Sequence, residues 1–155
     1  MMVVAPAQMM RVVSWNLLHG QKIPPTPTQD WQAELVTAAK KVADDLKPDF
    51  VALQEVDYFQ SRSDLTNQTK LIAQSMKLKY WAYLPTLIGT PGEKWRRVKD
   101  LENSILTENS LDKQAQSSYG IAIATNCPIK NLYVKKLGRS IVGMPLLIPK
   151  DNGKG

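Results

Sequence analysis

Hydrophobic positions fall into short runs and one long helical stripe. Arg11-Val12-Val13-Ser14-Trp15-Asn16-Leu17-Leu18 is a β-branched run suited to a buried strand, closed by His19-Gly20. Pro24, Pro25 and Pro27 make residues 21–28 a loop. Trp31, Leu35, Ala38, Ala39, Val42 and Leu46 then recur at spacings of three or four, which predicts a helix. Thr28 or Asp30 is its expected cap, and Lys47-Pro48 its stop. A second strand is expected over Asp49-Phe50-Val51-Ala52-Leu53-Gln54-Glu55-Val56. A short helix follows from about Asn67 to Met76, with Leu71, Ile72 and Met76 inward, then a strand from Lys79 to Leu84. Residues 85–117 are polar and broken by Pro85, Gly89, Pro91 and Gly92. Connections longer than about 12–15 residues are usually functional or disordered. Tyr119 to Thr125 reads as a strand, Asn126-Cys127-Pro128 as a turn, and Ile129 to Lys136 as another strand. Beyond these the chain fades through Pro145, Pro149 and Asp151 to Gly155. The class is mixed α+β, with residues 1–10 as a leader and 11–155 as the folded portion.

Composition narrows this only a little. The 155 residues fit one domain, and 43% hydrophobic with 22% charged is ordinary for a globular protein. No run approaches the roughly 18 apolar residues of a spanning helix, so no membrane span is expected. Met1 to Met10 carries no positive charge and contains Pro6 and Gln8, unlike a secretory signal. A cytoplasmic location is the expectation. Cys127 is the only cysteine, which excludes an internal disulfide and a Cys₄ zinc site. His19 is the only histidine. Residues 1–60 hold five Lys/Arg against seven Asp/Glu, and residues 61–155 hold fifteen against seven. The basic second part would attract phosphate-bearing partners, or form a solvated lysine-rich surface.

Two apolar runs end in polar side chains. Asn16 closes the first and Glu55 the second. Ligand sites in layered folds gather at the carboxyl ends of strands, and a buried strand has little reason to carry an unpaired carboxylate. If the strands are neighbours, Asn16 and Glu55 meet. One carboxylate beside one amide suits a hard cation such as Mg²⁺, which keeps waters and leans on substrate phosphate. Alternatively both residues only close strand ends.

Three segments resemble one family. Val12-Val13-Ser14-Trp15-Asn16-Leu17-Leu18-His19-Gly20 looks like the opening strand of the endonuclease/exonuclease/phosphatase superfamily, the DNase I-like proteins. Pro48-Asp49-Phe50-Val51-Ala52-Leu53-Gln54-Glu55-Val56-Asp57 is similar to its second motif. Tyr119-Gly120-Ile121-Ala122-Ile123-Ala124-Thr125-Asn126-Cys127-Pro128-Ile129 is similar to its later strand and turn. The resemblance implies a four-layer α/β/β/α sandwich and metal-dependent hydrolysis of a phosphate ester. It makes Glu55 a Mg²⁺ ligand, with Mn²⁺ as the alternative. Asn16 becomes the residue that orients water or a phosphate oxygen. The substrate would be a nucleic acid, nucleotide, inositol phosphate or lipid head group.

The family's later Asp-x-Asn and Ser-Asp-His motifs do not occur in these residues. The resemblance covers roughly residues 10–145. It implies the N-terminal portion of such a domain, one that lacks its second half. Self-association or a partner chain would then complete the sandwich, or the chain is a non-catalytic remnant or binding module. Arg62, in the loop after Glu55, is a candidate phosphate clamp or a surface arginine. His19 is a candidate substrate-edge or structural residue, with a general-base role as the alternative. Asp57 reads as solvated, or as a partner standing behind a metal ligand, Trp95-Arg96-Arg97 as a mobile basic loop that could also suit nucleic acid, and Cys127 as structural.

Overall fold

The computed structural model describes residues 9–21, 30–111 and 116–137. Most of the expected leader, the proline-rich loop with Thr28, and the chain from residue 138 onward lie outside the described residues. The elements are β1 (Val12–Asn16), α1 (Trp31–Leu46), β2 (Phe50–Tyr58), α2 (Gln68–Ser75), β3 (Tyr80–Gly89), β4 (Trp95–Arg97), β5 (Leu106–Thr107) and β6 (Ser118–Thr125). The chain is mixed α+β. One six-stranded sheet runs β1-β2-β6-β3-β4, with β5 also on β3. Among the described residues only β1 and β2 pair in parallel, because the α1 crossover returns the chain in the same direction.

Local chemistry sets the helix ends. The Asp30 carboxylate accepts the Ala33 N–H at 2.9 Å, and Lys47 turns left-handed just before Pro48. Asn67 caps α2 by accepting from the Lys70 N–H. Leu35 and Ala39 face inward from α1, and Ile72, Ala73 and Met76 from α2. They meet one face of the sheet: Val51, Leu53, Val56 and Tyr58 of β2, Trp81 and Tyr83 of β3, and Ala122 and Ala124 of β6. The alanines on the central strand leave room for the helical layer. The buried Tyr83 hydroxyl is satisfied by the Ser118 hydroxyl at 2.9 Å.

The inward residues of β2 are spaced by two, then three, then two. The extra residue is a β-bulge: Leu53 pairs with Ala122 and Val56 with Gly120, so Gln54 and Glu55 together face Ile121. Glu55 takes a left-handed φ of 56°. Strict alternation would send Glu55 into the helical layer. The bulge holds it with Gln54 on the opposite face and returns Val56 to the core.

Two expectations need correction. Residues 85–117 are not irregular throughout. β3 continues through Pro85 to Gly89, and β4 and β5 both pair with it. The missing N–H of Pro85 is accommodated at a register shift between Pro85 and Leu87. Conversely, residues 129–136 form no strand. Both edges of β6 are already taken, by β2 and β3, so no ladder is open to a hairpin after Cys127. Leu132, Tyr133 and Val134 instead line, together with Ala82, Leu84, Ile121 and Ile123, a cleft of about 200 Å³ over the sheet face away from the helices, with Tyr133 left 89% exposed. Among the described residues, no helix is long and apolar enough to cross a membrane.

Close approach of β6 to β3 depends on Gly120. A Cβ there would stand 2.0 Å from the Leu84 carbonyl oxygen, a backbone atom that cannot step aside. Gly120→Ala is expected to cost about 2 kcal/mol or more. Urea unfolding monitored by circular dichroism checks this. An unchanged midpoint would show that the two strands are not held so tightly.

Candidate metal and phosphate site

The ends of β1 and β2 lie side by side, with Asn16 paired to Gln54. The Asn16 amide is used on both sides. Its Nδ2 donates to Glu55 Oε1 at 3.0 Å, and its Oδ1 accepts the Leu18 N–H at 2.9 Å. The chain then bends through three left-handed residues, Leu18, His19 and Gly20, with φ of 45°, 47° and 84°. Gln68 locks this bend. Buried at the start of α2, its Nε2 donates to the His19 carbonyl at 2.7 Å and its Oε1 accepts the Asp57 N–H at 2.8 Å. Side chains in left-handed backbone cost about 1–3 kcal/mol each and persist where surroundings hold them. Three of them, Leu18, His19 and Glu55, lie at this strand end, tied together by Asn16.

Asp57 and Tyr119 are register partners on the same face as Glu55. Asp57 is fully buried, and Arg62 closes on it with two hydrogen bonds, Nε to Oδ2 at 2.9 Å and Nη2 to Oδ1 at 2.8 Å. The Arg62 guanidinium sits 5.5 Å from the centre of the Tyr119 ring. The Tyr119 phenol hydrogen-bonds the Glu55 carboxylate; burial first and the Glu55 charge second push its pKa up to about 12, so it stays a neutral donor. His19 Nε2 lies 3.3 Å from Gln21 Oε1, which makes Nε2 the protonated nitrogen in the neutral ring. Its Nδ1 is then a buried lone pair without a hydrogen-bond partner among the described residues, 4.0 Å from Glu55 Oε2. Burial, then the charge of Arg62, lowers the His19 pKa and favours that neutral form.

The charges therefore do not balance. Arg62 is spent on Asp57, and His19 is held toward neutrality. Glu55, its side chain 35% exposed, forms no ion pair with a Lys or Arg among the described residues; its one basic neighbour is the His19 ring at 4.0 Å. A hard cation needs one or two carboxylates and completes its shell with water and substrate oxygens. Glu55, with the His19 lone pair beside it, fits that requirement. No group of three or more His, Cys, Asp or Glu side chains that could hold a metal ion occurs among the described residues. An ion at Glu55 would thus depend on solvent and substrate for most of its ligands.

Of the sequence candidates, Asn16, Glu55, His19 and Arg62 all come to this one corner. Asp57 is a correction: it is a buried anchor for Arg62, because it follows the bulge and its backbone is tied to α2. Trp95-Arg96-Arg97 is also a correction, being an edge strand rather than a loop. Sequence reasoning missed Tyr119 and Gln68. Tyr119 was visible only as the first apolar residue of a strand, and Gln68 only as a polar residue at a helix start. Their roles come from pairing across 62 and 11 positions to Asp57, which no local pattern displays. No family model, curated protein or solved structure matches the chain.

The Asp57–Arg62 pair should respond asymmetrically to substitution. Arg62→Ala strands a fully buried carboxylate and is expected to cost about 3 kcal/mol or more. Asp57→Asn releases a guanidinium that already reaches solvent, and should cost clearly less. Equal losses in urea midpoint would show that the buried carboxylate is not charged.

Proposed function

We propose that this chain is a Mg²⁺-dependent phosphoesterase of the endonuclease/exonuclease/phosphatase superfamily, hydrolysing a phosphodiester or phosphomonoester by metal-assisted attack of water. The observation that carries the reading is the uncompensated Glu55 carboxylate, fixed by Asn16 and Tyr119 at the joined carboxyl ends of two parallel strands. The resemblance of the strand motifs around Asn16, Glu55 and Gly120 to that family supports it. So does a sheet with helices on one face and apolar residues on the other, which suits half of an α/β/β/α sandwich.

Glu55 would hold Mg²⁺ or Mn²⁺. When bound, such an ion polarises a phosphoryl oxygen and stabilises the leaving oxyanion. The protein's own groups then act on position. Asn16 and Tyr119 keep the carboxylate from rotating. Arg62, tied to Asp57 through Nε and Nη2, retains its Nη1 hydrogens for a phosphate oxygen. His19 offers Nδ1 as an acceptor for a water or substrate hydroxyl at the same edge.

A second reading has its own observation. The sheet face away from the helices exposes Val12 at 61% and Ile121 at 47%. A binding module completed by a partner chain would cover that face and need no hydrolysis.

Hydrolysis of bis(p-nitrophenyl) phosphate separates the two. The phosphoesterase reading expects Mg²⁺-stimulated, EDTA-sensitive release of nitrophenolate. Glu55→Gln should reduce it by about a hundredfold or more, and Asn16→Ala by about tenfold. Absence of metal-stimulated turnover in the unaltered chain, or full turnover in Glu55→Gln, would sink it.

A further inference from the structure

Two left-handed residues face each other at the strand end, His19 with φ of 47° and Glu55 with φ of 56°. Each presents a donor atom that its neighbours hold in place. Asn16 Nδ2 fixes Glu55 Oε1 at 3.0 Å, and Oε2 stands toward His19 Nδ1 at 4.0 Å. The histidine is held at both ends. Gln68 Nε2 donates to its backbone carbonyl at 2.7 Å, and Gln21 Oε1 accepts from ring Nε2 at 3.3 Å. With the proton on Nε2, Nδ1 carries a lone pair. That nitrogen is buried and has no hydrogen-bond partner among the described residues. Buried polar atoms are paired in the great majority of cases, so an orphan one beside a carboxylate calls for an explanation. Strained backbone on both sides of the gap points the same way.

A direct hydrogen bond does not supply the explanation. Neither Nδ1 nor Oε2 carries a hydrogen in this tautomer, and 4.0 Å exceeds hydrogen-bond length. A shared cation does supply it. A first-row ion lies about 2.0–2.2 Å from an imidazole nitrogen or a carboxylate oxygen. Two donors 4.0 Å apart are therefore within reach of one ion. The hydrogen bond from the other ring nitrogen to Gln21 is the arrangement that fixes the tautomer of metal-bound histidines.

We infer that His19 Nδ1 and Glu55 Oε2 hold one ion jointly, and that this site takes a first-row transition ion, Zn²⁺ or Mn²⁺, ahead of Mg²⁺. This rests on the reading of Glu55 as a cation ligand and deepens it, because His19 becomes a ligand and Gln21 a positioning residue. Ligand type decides between the ions. Mg²⁺ favours oxygen donors and keeps its waters. An imidazole nitrogen favours Zn²⁺ and its first-row neighbours. With two protein donors, the other positions of the ion go to water or substrate oxygen. When no ion is bound, the same lone pair is open to a water or a hydroxyl. A simpler account is a water bridging Nδ1 and Oε2. That account gives His19 no preference among ions.

The chain contains one histidine, so a histidine-selective ¹⁵N NMR spectrum holds a single ring. The labelled 155-residue chain receives ZnCl₂ or MgCl₂ at fixed pH. Zn²⁺ is expected to move the Nδ1 resonance and leave Nε2 protonated, whereas Mg²⁺ moves neither. Calorimetry gives the affinity for each ion. The unaltered chain should bind Zn²⁺ at least about tenfold more tightly than Mg²⁺. His19→Asn retains a residue type that tolerates left-handed backbone, and should lower that ratio by about tenfold. Gln21→Ala leaves the turn itself intact, and should weaken Zn²⁺ by about tenfold without an equal loss for Mg²⁺. Backbone amide spectra confirm that each variant folds. An Nδ1 resonance unmoved by saturating Zn²⁺, an unchanged ratio in His19→Asn, or the same Nδ1 shift in Glu55→Gln would overturn the inference. Glu55→Gln also tests the reading beneath it. Binding of both ions that survives this change undiminished overturns Glu55 as a ligand. Loss of both ions there, beside a silent His19→Asn, overturns the joint site alone.

Discussion

One additional residue in β2 governs the corner where the chemistry gathers. Without the bulge at Gln54 and Glu55, alternation along the strand would place the carboxylate beneath the helices and Val56 in solvent. A buried, unpaired carboxylate would cost several kcal/mol, and the core would lose a fully buried valine as well. With the bulge, Glu55 meets Asn16 across the parallel pair, and Asp57 arrives on the same face to receive Arg62. Tyr119 is then the register partner of Asp57 and the hydrogen-bond partner of Glu55 at once. The left-handed backbone at Glu55 is the local cost of that arrangement.

The electrostatic consequence runs against a simple view of a basic protein. The chain carries a formal charge of +6, but its candidate site is locally negative. The arginine nearest the site is neutralised by a buried aspartate, and the sole histidine is pushed toward its neutral form by burial and by that arginine. Free cations lie instead at the far edge of the sheet, on β4. Phosphate could not approach Glu55 favourably without a cation in between, whereas Arg97 needs no such mediator.

Much of the frame was legible in the sequence because it rests on local periodicity. The stripe from Trp31 to Leu46 gave α1 to the residue, and the apolar runs gave the starts of β1, β2, β3 and β6. The polar ends of two of those runs pointed to Asn16 and Glu55. What was not legible depends on pairing at a distance. The spacing of three between Leu53 and Val56 does signal a bulge, but only once the strand is known to have one buried face. β4 contains Trp95, Arg96 and Arg97 and has no hydrophobic alternation of its own; it is a strand because β3 extends far enough to receive it. The run from Ile129 to Lys136 has strand composition but no free edge to join. Asp57 looked solvated because a charged residue just past a strand's polar end reads locally as surface, while Arg62, Gln68 of α2 and Tyr119 of β6 are brought to it only by the fold.

The left-handed turn at Leu18, His19 and Gly20 bears on how this corner would respond to change. Glycine already occupies the position where φ is largest, but the two preceding residues hold side chains in a conformation that glycine adopts more cheaply. Backbone preference and side-chain placement thus pull in opposite directions at His19. A substitution that relaxed the turn would also remove the ring that stands 6.5 Å from Tyr119 and faces Glu55. Gln68 adds a second constraint, because a side chain at Gly20 would press on its amide at 3.1 Å. The segment therefore behaves as a latch between β1 and α2. Thermal stability and the shape of the site draw on the same few dihedral angles, and neither can be tuned there without moving the other.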